Sequence, residues 1–158
     1  MGQEIEHKFR VNVSRWRLQD EGVAIRQGYL STEKDRVVRI RTAGSKAYLT
    51  IKGPGHISRA EFEYEIPFED ASSMLDDLCL PGAIEKTRYK QEFGGHIWEI
   101  DVFHGDNEGL VVAEIELKHE GETFERPDWA LDEVSEDPRY FNASLSKAPF
   151  KTWPETQR

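Results

Sequence analysis

Apolar and charged side chains alternate along most of the chain with a period of two, the spacing of a strand whose two faces meet different surroundings. Ile5, His7, Phe9 and Val11 fall on one parity and Glu4, Glu6 and Lys8 on the other, with His7 the polar exception on the apolar side. The same alternation recurs in eight stretches and predicts strands at 3–11, 26–31, 36–42, 46–52, 59–66, 84–93, 96–104 and 110–118. Ala43-Gly44-Ser45, Gly94-Gly95 and Gly105-Asp106-Asn107 are turn signals, and links this short favour antiparallel neighbours. Ser14 is placed to cap a short helix through Glu21, and Asp70 to cap another through Leu78, ended by Pro81-Gly82. Pro127, Pro138, Pro149 and Pro154 interrupt the last stretch, 127–154. It reads as short helical turns around Pro138 to Ser146 in otherwise irregular chain that wraps the sheet. The run Gly53-Pro54-Gly55-His56-Ile57-Ser58 reads as a mobile loop. With no repeat or linker in the sequence, residues 1–158 are expected to form a single domain.

The charged parity is nearly pure Glu, Asp, Lys and Arg. Arg39 and Arg41 oppose Val38 and Ile40, while Arg59, Glu61, Glu63 and Glu65 oppose Phe62, Tyr64 and Ile66. Lys52 ends the fourth stretch; Lys86, Arg88 and Lys90, then Glu99 and Asp101, then Glu114, Glu116 and Lys118 continue the rows. An ordinary half-buried sheet accounts for any one row, but solvated strand faces normally mix in Thr, Ser and Gln. Closing eight strands into an antiparallel barrel gathers the rows into one lumen and turns the apolar faces outward, under the helices and the C-terminal wrap. The expected fold is therefore α+β, mainly β: a closed eight-stranded antiparallel tunnel barrel with a charged lumen and short covering helices. Two like charges ~4 Å apart repel by about 4 kcal/mol at an effective dielectric of ~20, so such a lumen must be hydrated and mix its signs. The rows hold both signs in balance, which suggests a basic side and an acidic side.

Composition narrows the partners. Hydrophobic residues make up 37% and charged residues 32%, so the core is thin and leans on aromatics. A net charge of -9 and a pI of about 5.1 give an average field that repels nucleic acid and anionic membranes, so neither is an expected partner. An anionic ligand must find a local pocket. No stretch approaches the ~20 apolar residues of a membrane-spanning helix, the N-terminus carries no apolar signal segment, and Cys79 is the only cysteine. A cytoplasmic protein is expected, with Cys79 a buried structural thiol. His7, His56, His96, His104 and His119 show no metal spacing, no Ser or Cys sits in a nucleophile motif, and Trp16, Trp98, Trp129 and Trp153 read as outer packing.

Convergent Lys and Arg side chains suit a flexible polyphosphate, because Arg makes forked contacts to phosphate oxygens and Lys adds point charge. Clustered Glu residues suit a hard divalent cation such as Mg²⁺ or Mn²⁺, which shares oxygen ligands with phosphates. Phosphoryl transfer needs both elements together.

Glu4-Ile5-Glu6-His7-Lys8 resembles the ExExK signature of the CYTH superfamily, the triphosphate tunnel metalloenzymes, and stands at the N-terminus as that family places it. It is followed in order by Gln27-Gly28-Tyr29-Leu30, Val38-Arg39-Ile40-Arg41, Leu49-Thr50-Ile51-Lys52, Arg59-Ala60-Glu61-Phe62-Glu63, Lys86-Thr87-Arg88-Tyr89, Trp98-Glu99-Ile100-Asp101 and Ala113-Glu114-Ile115-Glu116-Leu117. The ending Asp137-Pro138-Arg139-Tyr140-Phe141-Asn142 resembles the small bacterial members, so the likeness spans essentially the whole chain. It implies that Glu4, Glu6, Glu61, Glu63, Glu114 and Glu116 form a metal-facing wall, and that Lys8, Arg39, Arg41, Lys52, Lys86 and Arg88, with Arg59 beside them, hold a triphosphate. Glu4, Glu6, Lys8 and Tyr29 are the expected catalytic group, Tyr29 being equally compatible with a structural role. The implied activity is metal-dependent hydrolysis of inorganic triphosphate to pyrophosphate and phosphate, with nucleoside triphosphates as further substrates, by a monomer or homodimer. Class IV adenylyl cyclase, thiamine triphosphatase and a polyphosphate-binding module without turnover are the alternatives.

Overall fold

A computed structural model describes residues 2–158. All eight alternating stretches form strands: β1 (Gly2–Val11), β2 (Val23–Glu33), β3 (Arg36–Ala43), β4 (Lys46–Lys52), β5 (Ser58–Ile66), β6 (Ile84–Phe93), β7 (His96–Phe103) and β8 (Val111–Glu116). They hydrogen-bond in the order β5-β4-β3-β2-β6-β7-β8-β1, and β1 returns to β5, so the expected eight-stranded barrel is closed. Closure rests on a strand that changes partners midway. Gly2 to Ile5 pair with β5 while Glu6 to Arg10 pair with β8, all antiparallel.

A ninth strand, β9 (Ala130–Glu133), lies along β1 beyond this seam, with Phe9 opposite Glu133 and Val11 opposite Ala130. It falls in the stretch expected to be irregular, because Ala-Leu-Asp-Glu lacks both alternation and β-branched residues. The other helical turns arrive where anticipated, at residues 138–140 and in α2 (Asn142–Leu145). The expected helix from Ser14 to Glu21 does not form. The Asn12 carboxamide takes the Ser14 N–H at 3.1 Å and the Ser14 hydroxyl at 2.6 Å, leaving one turn. Trp16 is then pulled into the packing, its indole N–H donating to Gln91 Oε1 at 2.9 Å. The next helix, α1 (Phe68–Asp77), begins after Pro67, not at Asp70, which lies in its first turn where a negative charge complements the helix dipole.

Three apolar clusters hold the barrel. On its outer face Phe9, Trp98, Ile115 and Trp129 pack with Phe124, with ring centroids 5.5 Å apart for Phe9–Trp98 and 5.6 Å for Trp98–Trp129. Burying such side chains contributes about 1.5–3 kcal/mol each. α1 lays Ala71 and Leu75 over Ile40 and Ala47, and Gly28 lets the half-buried Cys79 approach the sheet, since a Cβ there would stand 3.1 Å from Cys79 Cβ.

The third cluster has a different job. Ile84, Phe103 and Val112 share the parity of the charged rows and meet Val134, Tyr140, Leu145 and Trp153 at one end of the barrel. The C-terminal segment thus stoppers the lumen there as well as wrapping it. All four tryptophans are buried in packing, Trp153 in this stopper. The outer cover is incomplete, for Ile51, Phe62 and Tyr64 on β4 and β5 remain exposed. Among the described residues no helix is long and apolar enough to cross a membrane.

Candidate active site

The circular strand order separates the charges that the sequence left interleaved. β7, β8, β1 and β5 are consecutive around the barrel and carry Glu99 and Asp101, Glu114 and Glu116, Glu4 and Glu6, and Glu61 and Glu63. β4, β3, β2 and β6 complete the circle with Lys52, Arg39 and Arg41, Tyr29, and Lys86 and Arg88. Lys8 and Arg59 are the two bases set within the acidic arc. Every expected site residue, from Glu4 to Glu116, lines one cavity of about 480 Å³. Pure charged rows on alternating positions come together because antiparallel register puts directly paired residues, such as Glu4 and Arg59 or Lys52 and Glu61, on the same face.

Exposure falls with depth. Glu63 and Glu116 reach solvent, whereas Lys86 and Asp101 are 1% exposed beside the apolar stopper. Asp101 is the deep anchor: it accepts from Lys86 Nζ at 2.7 Å and from Arg88 Nε and Nη2 at 2.8 and 2.9 Å. Those two cations outweigh burial and hold its carboxyl far below the usual range. Arg88 also reaches Glu114 at 2.9 Å, and Lys8 reaches the other Glu114 oxygen at 3.6 Å. Burial opposes the charge of Glu114, yet Lys8 and Arg88 bring its pKa down to about 2.

Nearer the seam, burial would raise Glu4, but Lys52 at 3.0 Å wins and lowers it. Lys52 also approaches Glu61 at 3.4 Å, where burial and the Glu4 charge keep the carboxyl raised. Glu6 is recessed between Glu114 and Glu4, and burial followed by those two charges pushes its pKa well up. Glu116 is raised more mildly, by burial and then by Glu4 and Glu99. On Lys8, Glu114, Glu6 and Glu4 overcome burial and raise the ammonium. Among the described residues no three acidic or imidazole side chains already form a metal cage. The acidic arc is held apart by its own bases.

Within the basic arc the two β3 arginines are under-neutralised. Arg41 donates from Nε to an amide, Gln27 Oε1, at 2.8 Å, and burial with Arg39 and Arg88 nearby lowers its pKa to about 9. Arg39 touches Glu63 only at 3.5 Å, and the buried Nε–H groups of Arg39 and Arg59 have no protein partner. Unsatisfied buried donors are uncommon and costly unless a ligand serves them. Burial, then Arg88 and Arg41, depresses Lys86 to about 7 against the pull of Asp101.

The cavity also takes in residues not singled out from sequence as site groups: Lys34, His56, Ser135, Phe141 and Asn142 among them. The His56 and Phe141 rings meet at a tilt of 58° with centroids 5.2 Å apart, and Lys8 Nζ lies 5.7 Å from the Phe141 ring centre. Gln27, fully buried, stands behind Arg41 and Tyr29. These side chains are single polar or aromatic residues in turns or at strand positions outside the charged rows, so alternation does not mark them. Glu65, Lys90 and Lys118 belong to the rows but lie on exposed positions outside the cavity lining.

The CYTH domain family matches residues 2–149. An inorganic triphosphatase of Acetivibrio thermocellus is 50% identical over 156 residues, covering 98% of this chain and all of that protein. An inorganic triphosphatase of Nitrosomonas europaea is 37% identical over 128 residues, or 78% of this chain and 84% of that one. A crystal structure described as an inorganic triphosphatase superposes with a TM-score of 0.65 at 32% identity, covering 90% of this chain and 93% of its own. A putative adenylate cyclase from Bacillus halodurans, at 16% identity and TM-score 0.58 over 76% and 84% of the two chains, shares the fold. With a closed barrel, opposed charged arcs inside it and this breadth of similarity, the chain belongs to the CYTH domain family.

Proposed function

We propose that the protein hydrolyses inorganic triphosphate to pyrophosphate and phosphate with the help of a divalent cation, Mg²⁺ or Mn²⁺. The observation that carries this reading is a set of under-neutralised arginines in a closed lumen that also holds an acidic arc: the Nε–H groups of Arg39 and Arg59 are unserved and Arg41 lacks a carboxylate. The two relatives named inorganic triphosphatase support it.

Lys8, Arg39, Arg41, Lys52, Arg59, Lys86 and Arg88 hold the phosphates in this scheme, and their charge stabilises the departing pyrophosphate. Glu4, Glu6, Glu61, Glu63, Glu114 and Glu116 offer oxygen donors alone, a set that fits a hard divalent ion and not a thiolate-seeking one. Such an ion, when bound, supplies Lewis-acid neutralisation of phosphate oxygens. Tyr29 accepts a hydrogen bond from Gln27 Nε2 at 3.1 Å, which leaves its own O–H free to donate to a phosphate oxygen. The attacking water gives its proton to a lumen carboxylate, for which Glu6, Glu61 and Glu116, each raised from its ordinary value by burial and neighbouring carboxylates, are the candidates. Residues 1–158 act as one unit on a free small molecule in the cytoplasm.

A phosphate-release panel over triphosphate, longer polyphosphate, ATP and thiamine triphosphate, each with Mg²⁺, Mn²⁺ or chelator, tests the reading. Release is expected to be fastest from inorganic triphosphate and absent in chelator. Cyclic AMP with pyrophosphate from ATP, fastest release from thiamine triphosphate, or tight binding with no release under any cation would overturn it.

A further inference from the structure

Behind the basic arc lies a chain of amide contacts with no charge of its own. Gln27 is fully buried, and both its amide donors and its carbonyl oxygen are engaged. Its Oε1 accepts from Arg41 Nε at 2.8 Å, and its Nε2 donates to Tyr29 OH at 3.1 Å and to Asn142 Oδ1 at 3.0 Å. Asn142 Oδ1 takes a second donor, Lys86 Nζ, at 3.0 Å. Neither amide can turn over: reversing Gln27 would set an NH₂ against the Arg41 donor, and reversing Asn142 would set one against two donors.

The two residues come from opposite ends of the sequence. Gln27 sits on β2 inside the barrel, and Asn142 opens α2, whose Leu145 is packed into the apolar stopper. We propose that the Gln27–Asn142 amide pair is a positioning bridge that fixes Arg41, Tyr29 and Lys86 toward the substrate and locks the C-terminal segment to the basic arc. This rests on the triphosphatase reading for its consequences in turnover, and on the contacts alone for the positions.

A buried network is worth most when every member is satisfied, and losing one member leaves the others without partners in a low-dielectric setting. Removing the Gln27 carboxamide releases Arg41 and Tyr29 together. Removing Asn142 strips Lys86 of its neutral acceptor and leaves Asp101 as its remaining contact. The groups around Lys86 are Asp101 on β7, Arg88 on its own strand, Arg41 on β3 and Glu114 on β8. Beside these charged groups, Asn142 is the uncharged hydrogen-bond partner of Lys86, and it can be made charged without changing shape.

Four variants test the bridge: Gln27→Leu, Gln27→Glu, Asn142→Leu and Asn142→Asp. Gln27→Leu is expected to raise the KM for triphosphate and lower kcat, each tenfold or more. Gln27→Glu keeps the Arg41 acceptor but loses both donors, so kcat falls while KM stays within about threefold. Asn142→Asp should move the titration midpoint of the Lys86 ammonium, followed by ¹⁵N-lysine NMR, upward by about one pH unit or more. Asn142→Leu should move it downward. The NMR measurement reads the bridge even in a protein without turnover, whereas loss of wild-type triphosphate hydrolysis would strike only at the function. An unmoved Lys86 midpoint in both folded Asn142 variants, or Gln27 variants that lose melting temperature with kcat and KM intact, would overturn the proposal.

Discussion

Lys52 and Glu4 form an ion pair across the seam that closes the barrel, with Lys52 Nζ 3.0 Å from Glu4 Oε1. Lys52 ends β4, Glu4 opens β1, and β5 runs between them in the sheet order, so the contact spans the lumen face of three strands. Lys52 thereby sets one positive charge between the carboxylates of Glu4 and Glu61. The acidic arc is balanced by bases of the chain itself, Lys52 among them.

Lys52→Met should therefore destabilise the protein in chelator by roughly 2–4 kcal/mol, the scale of stranding one partner of a recessed ion pair. Added Mn²⁺ should restore much of the loss, since it replaces the missing positive charge. Thermal melts of wild type and variant with chelator and with Mn²⁺ check both halves.

Glu6→Gln should act in the opposite sense. Burial and the charges of Glu114 and Glu4 disfavour its ionisation, so a neutral amide relieves strain among like charges. The variant should melt at or above the wild-type temperature in chelator while metal-dependent turnover falls a hundredfold or more. Glu116→Gln should likewise lose turnover with its fold intact. Melting curves paired with phosphate release separate the two effects.

The barrel and its charged lumen were legible because Glu4, Glu6, Arg39, Arg41, Glu114 and Glu116 sit on alternating positions with almost no uncharged polar residue among them. A basic and an acidic side were anticipated, but which strands compose each was not legible, since that depends on β1 meeting both β5 and β8, a long-range pairing that local alternation cannot encode. Ser14 looked like a helix cap, but Asn12 took its hydrogen bonds and Trp16 found a tertiary site. β9 pairs by adding to an edge that β1 leaves open, so Ala130 to Glu133 needed no strand propensity of their own. Gln27 and Asn142 escaped notice as site groups for the same reason: one amide among charged rows gives no periodic signal.

Arg41→Ala should weaken triphosphate binding about 10- to 100-fold, the range of one charge-assisted contact. Its stability cost should be small, because removing a recessed guanidinium whose pKa is already depressed to about 9 recovers desolvation energy and offsets the exposed Gln27 acceptor. Isothermal calorimetry and thermal melts on the same preparation decide whether binding falls further than stability.

Lys86 gives the pH dependence. Its folded pKa of about 7 lies below the ~10.4 of an unfolded lysine. Between these values the unfolded chain binds more protons, so this group's penalty on stability is full below about pH 7 and fades as pH rises toward 10. Binding runs the other way, since the empty pocket loses a cation as pH rises through about 7. The KM for triphosphate should climb over pH 6 to 8.5 in wild type and flatten in Lys86→Arg, as initial-rate measurements across that window would reveal.

The most direct measurement of how the two arcs share a substrate is anomalous diffraction from a crystal grown with Mn²⁺ and the non-hydrolysable imido analogue of triphosphate. The phosphates are expected against Arg39, Arg41, Lys52 and Arg59, with manganese between them and the carboxylates of the β1 and β8 strands. Manganese and phosphates bound on the outer face of the barrel, with the lumen holding only water, would contradict it.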